Sequence, residues 1–183
     1  MQLLRSFGVV SVLLTWVSIS YILYVNERNL ERSVSHHAAI KARSHMIFGV
    51  FMTASLIFMF LFMYGWFIPY FQLPATFSII VGAALILELA TTWVPLTTGW
   101  KYIFHQTSSY GAAMLIPFLL FITLFSPKMS NIAAYVNIAS LAIMVFLLYL
   151  FVFVKSARLR YLIYQNVYVA AFHVAILATA YIL

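Results

Sequence analysis

The chain has 183 residues, of which 66% are hydrophobic and 7% charged, against about 25% charged residues in an ordinary soluble domain. Its net charge is +7 and it has no cysteine, which excludes disulfides, thiolate metal sites, thioether-linked haem and thiol catalysis. A soluble fold could not hide so much apolar surface, so the composition predicts a polytopic membrane protein.

Apolar runs of about 20 residues recur, each long enough to cross a hydrocarbon core about 30 Å thick at about 1.5 Å rise per residue. They are continuous rather than alternating, so helices rather than a barrel must satisfy their backbone groups. The expected fold class is all-α: six transmembrane helices in one bundle with short loops, a single domain over 1–183. The spans fall at about 7–25, 45–69, 76–94, 103–125, 132–154 and 161–183. The first run follows Arg5, but it is too long for a signal-peptide core and ends without a small-residue cleavage pattern, so it reads as a retained span.

Span one carries Ser11, Thr15 and Ser18 on one helical face, a small, weakly polar stripe suited to close helix packing. The polar segment Asn26 to Ser44 follows, with the pair His36 and His37, and its later half from about Ser35 is expected to be helix continuous with span two. Span two places Met52, Met59 and Met63 on one face, where adaptable packing accounts for them better than a soft-metal track. Pro69 and Pro74 bracket an aromatic turn into span three, which ends at Trp93-Val94-Pro95. Span four is expected to kink at Pro117. Ser126 to Asn131 and the basic stretch Lys155 to Arg160 are the last two turns, and span six runs to the final residue, leaving no soluble C-terminal domain.

The loops after spans one, three and five hold Arg28, Arg32, Lys41, Arg43, Lys101, Lys155, Arg158 and Arg160, whereas the opposite side holds only Arg5 and Lys128. This bias predicts that both termini face away from the cytoplasm. It also accounts for the net charge at an anionic lipid surface, without nucleic acid as a partner.

Glu88 is the one acid within an apolar run, and a carboxylate inside hydrocarbon costs several kcal/mol unless it is protonated, paired or wetted. It lies about six residues, or about 9 Å, from the loop end of span three, with Thr91 and Thr92 following on the same face. Asn166 of span six falls at nearly the same depth, and His173 lies two turns deeper on the same face as Asn166, so that its contact with Glu88 needs tilt or a bridging water. These groups predict either a polar wall of a ligand cavity or a buried latch that fixes helix register. His105, at the start of span four, is a further candidate for the ligand wall.

His36, His37, His45 and His105 are all expected near the loop-side boundary. His45 and His105 could ligate a b-type haem between two helices, and three of the four could hold zinc, yet no HxxxH or HExxH spacing supports a metal. No cofactor is predicted, with haem b as the alternative. No serine-hydrolase elbow accompanies Ser108 and Ser109, and aspartate is absent, which argues against phosphate–metal chemistry. No catalytic motif is present, and a non-enzyme is favoured.

Six short-looped spans, the Ser33-Val34-Ser35-His36 loop sequence and Trp93-Val94-Pro95 followed by His105 resemble a large family of six-span membrane proteins. Its eukaryotic members include factors implicated in GPI-anchor remodelling and autophagy, and the resemblance implies lipid-linked work without a defined reaction. The expected function is to bind or move a lipid or other hydrophobic small molecule between spans three, four and six, anchored by Glu88 and His173. The alternatives are a structural or accessory subunit of a membrane complex and a haem-bearing electron-transfer protein. Partners are then membrane lipids, other membrane subunits or a second copy of the chain.

Overall fold

A computed structural model describes residues 2–182, apart from the side chain of Arg158. Every long apolar run is a helix: α1 (Gln2–Val25), α3 (Ala42–Phe62), α5 (Ala75–Trp93), α6 (Trp100–Thr123), α7 (Asn131–Phe153) and α8 (Tyr161–Tyr181). Two short helices, α2 (Val34–Ala38) and α4 (Ile68–Phe71), complete the set. Six helices are long and apolar enough to span a bilayer, with α3 and α4 forming one continuous span, and the chain is an all-α, integral multi-pass membrane protein. The span boundaries match the sequence expectation to within a few residues, except that span one begins five residues earlier, at Gln2. Leu183, assigned to span six, lies outside the described residues.

The spans follow one another around a ring, α1 to α3, α5, α6, α7 and α8, and α8 returns to α1. The α1–α3 contact is built on the small polar stripe. The Ser55 hydroxyl donates to the Ser11 carbonyl at 2.8 Å and lies 2.9 Å from the Ser11 hydroxyl and 2.8 Å from that of Thr15. Small side chains bring the two backbones close, and the hydroxyls satisfy one another where no water competes. Gly49 serves the same end on the other flank of α3, since a Cβ there would stand 3.0 Å from the Trp93 ring.

Span two is 30 residues long, about 45 Å at helical rise, and so outreaches the apolar core. Between α3 and α4 its turns widen to a π-helix over Met63–Phe67, and the Ile68 amide donates to the Met63 carbonyl. The cause lies in the sequence: Pro69 has no N–H for the carbonyl of Gly65, and its ring would crowd a normal α-turn. The wide turn leaves Met63, Trp66 and Phe67 all buried. Phe62, Trp66, Phe67, Phe71 and Phe77 then pack ring on ring, with Phe67 and Phe71 centred 4.8 Å apart.

The aromatic cluster stands at the end of the ring that holds both termini. There the Arg5 guanidinium lies over Tyr181 and Trp66 at 4.4 and 5.4 Å, and Lys128 lies over Tyr70 at 4.6 Å. The two basic residues of this end are thus held on aromatic faces.

The polar segment after α1 differs from the expected continuous helix. α2 is a separate short helix capped by Ser33, whose hydroxyl accepts from the His36 amide at 3.1 Å, and Lys41 is extended before α3 begins. Its organiser is His37, fully buried. The His37 Nδ1 donates to the Ser33 carbonyl at 2.7 Å and Nε2 accepts from the Asn29 amide at 3.0 Å. Folding the segment back on this ring requires the chain to turn between α2 and α3.

Candidate functional site

The ring surrounds a partly open cavity of about 170 Å³ to which all six spans contribute, so it is wider in origin than a space between spans three, four and six. Its walls are largely apolar, lined by Met52 and Met59 of α3 and Met63 of the π-helix together with Ala84 and Leu119. A smaller cavity of about 90 Å³ lies toward the α2 end and is markedly more polar. The two share Glu88, Gln165, Ser109, Thr15, Met52 and Val169 in their walls, which places Glu88 where one gives way to the other.

Glu88 is half-buried and lines both cavities. No cation and no hydrogen-bond donor of the protein reaches its carboxyl group among the described residues. Tyr168 stands near it, but the Tyr168 hydroxyl donates to the carbonyl of Ala113. That carbonyl is the one Pro117 leaves free, being four residues back along α6. The helix runs through Pro117 unbroken from Trp100 to Thr123.

The sequence candidates divide between the two chambers. Thr91, Thr92 and Asn166 line the smaller one with Glu88, while His173 lines the larger. Thr91 donates its hydroxyl proton to the Leu87 carbonyl at 2.8 Å, leaving only lone pairs to offer elsewhere. The Asn166 Oδ1 and the His173 Nδ1 are buried without a partner among the described residues. His173 also meets Trp16 edge to face at 6.2 Å. The structure brings Glu88 and Asn166 to one chamber and Glu88 and His173 to the other, with no hydrogen bond between Glu88 and His173.

His105 is absent from both cavity walls. It is buried, and its Nδ1 donates to the Val94 carbonyl at 2.6 Å. His45 approaches the neighbouring Trp93 carbonyl at 3.4 Å. The two histidines therefore meet the last carbonyls of α5, the electronegative end of its helix dipole, and fix the turn through Pro95. Among the described residues no three His, Asp or Glu side chains group as a metal ion would require.

Gln165 was not among the sequence candidates. Its Oε1 accepts from the Val34 amide at 3.0 Å, and the Leu162 amide donates to the Leu30 carbonyl at 2.9 Å. These bonds hold the α2 segment against α8, so that Val34 and Ser35 close the smaller cavity. Tyr168 was also missed, and Ser109 enters the sequence reading only as a nucleophile without a hydrolase elbow. The signal for Tyr168 was Pro117, which demands a donor for the carbonyl it frees.

Compared with protein-family models, curated proteins and solved structures, the chain matches none of them.

Proposed function

We propose that this membrane protein binds a small amphipathic molecule, a hydrophobic compound or the end of a single-chain lipid, inside the ring, with Glu88 as its polar anchor. One observation carries the reading: the lone carboxyl group of the spans sits at the meeting point of an apolar and a polar cavity with no partner from the protein. A latch serving only helix register would be hydrogen-bonded across to a neighbouring helix, as Ser55 and Asn137 are.

Size narrows the occupant. The larger cavity matches an engineered one of about 150 Å³ that admits benzene, and the smaller has room for about three waters. A two-chain lipid exceeds both, whereas a ring or short stretch of chain fits the first and a compact head the second. The resemblance to six-span lipid-linked proteins agrees with a hydrophobic ligand. In this reading the α2 end faces the cytoplasm, as the distribution of Lys and Arg supports.

The test is an absorption spectrum together with small-molecule mass spectrometry on one gently solubilised preparation. The expected result is a single enriched hydrophobic compound that Glu88→Gln no longer retains while the variant stays monodisperse. Unchanged retention by the variant sinks the reading. A Soret band would move the site to His45 and His105, and stoichiometric partner proteins without a bound compound would favour an accessory subunit.

A further inference from the structure

If the ring holds a ligand at Glu88, as proposed, the chemistry around that carboxyl group decides which amphipathic molecule it accepts, and the inference rests on that reading. Among the described residues, neither cavity wall contains a lysine or an arginine. Amide and hydroxyl groups of Gln165, Asn166 and Ser109 share the wall, but none of them donates to the carboxyl group, and the Thr91 hydroxyl gives its proton to Leu87. Asn166, in the same wall, keeps a carbonyl oxygen that receives no donor. A carboxyl group with no basic neighbour among the described residues, beside a second oxygen that receives no donor, lacks a positive charge that could serve both.

We infer that the ligand is a lipophilic amine, whose ammonium group lies on Glu88 in the smaller chamber and whose apolar part lies in the larger. An ammonium supplies three donors in a compact, rotatable head. The head reaches the Glu88 carboxylate first, with Thr91 and Asn166 available as further acceptors. A carboxylic acid or phosphate head would meet a second acidic group at Glu88 and, among the described residues, no basic side chain to offset it. An alcohol could donate one hydrogen bond but would leave the charge uncompensated.

The apolar part is bounded by the other chamber. Its walls of methionine, leucine and aromatic side chains accept a ring or a short chain without imposing a fixed outline, since methionine repacks readily. The size match to a benzene-binding cavity makes an aromatic amine a suitable probe.

Purified protein in detergent at neutral pH is titrated with benzylamine, benzyl alcohol and benzoate, three molecules of one shape that differ in head charge. Tryptophan emission gives the readout, because Trp16 lies against His173 in the cavity wall. Benzylamine is expected to bind at least about tenfold more tightly than benzyl alcohol, the order of a single compensated charge. Glu88→Gln should erase that preference while leaving benzyl alcohol binding in place, which also shows that the variant is folded. Equal binding of amine and alcohol to the wild-type protein, or a preference for benzoate, overturns the amine inference and leaves the cavity as a ligand site. Failure of all three probes to bind overturns both readings. The wild-type ranking decides the matter even if the variant does not fold.

Discussion

The hydroxyl of Tyr168 on α8 donates its proton to the carbonyl of Ala113 on α6, which Pro117 deprives of its helical partner. A proline in the middle of a membrane helix is thereby accommodated by a side chain from another span. Tyr168→Phe should destabilise the protein by about 1–3 kcal/mol, the cost of a buried acceptor left unpaired. Pro117→Ala returns an N–H to the helix, so Tyr168→Phe in that background should cost much less. Thermal unfolding of the four proteins closes this double-mutant cycle, and additive losses would show that the two residues are not linked.

Gln165 joins α2 to α8 through the Val34 amide. Gln165→Leu keeps the size of the side chain but removes the acceptor. Amide exchange at Val34 and through α2 should then speed up about fivefold, equivalent to about 1 kcal/mol for one hydrogen bond. Unaltered exchange would mean that the Leu162–Leu30 backbone bond holds the segment alone.

His36, on the outer turn of α2, has its pKa lowered from the ordinary 6.5 by burial first and then by Arg32, His37 and His105. The folded chain thus binds this proton less readily than the unfolded chain does. The associated stability is fully present above pH 6.5 and is lost as pH falls below it. Melting temperature measured against pH should drop more steeply on the acid side in the wild type than in His36→Gln, and parallel curves would remove His36 from the account.

Because the chain lacks cysteine, single cysteines report sidedness cleanly. Thr98→Cys, in the exposed turn before α6, should react with a membrane-impermeant maleimide only after the cells are opened. Asn131→Cys, exposed at the start of α7, should react from outside. The reverse pattern would invert the proposed orientation.

The six spans were legible because hydropathy and helix length are local properties, and Glu88 was legible because a carboxyl group has no ordinary place in an apolar run. Its chamber was only half legible. Thr91 and Thr92 follow it on the same helix, but nothing local shows that α8 closes against α1 and brings Gln165 and Tyr168 to the same space. His105 shows the opposite difficulty: a histidine at a span boundary looks available for a ligand, whereas its hydrogen bond to Val94 depends on how sharply the chain turns at Pro95. The π-helix was foreshadowed by Pro69, yet only the crowding of Phe62, Trp66 and Phe67 made a widened turn a better answer than a break.

The return of α8 to α1 also bears on how the protein is made. During synthesis the other five spans leave the ribosome first, and together they describe an open arc whose inner wall still faces lipid. α8 then arrives with Gln165, Tyr168 and His173 and converts the arc into an enclosure. A product truncated before this helix would lack the α8 wall of the cavity, and the unpaired carbonyl of Ala113 would mark it as unfinished.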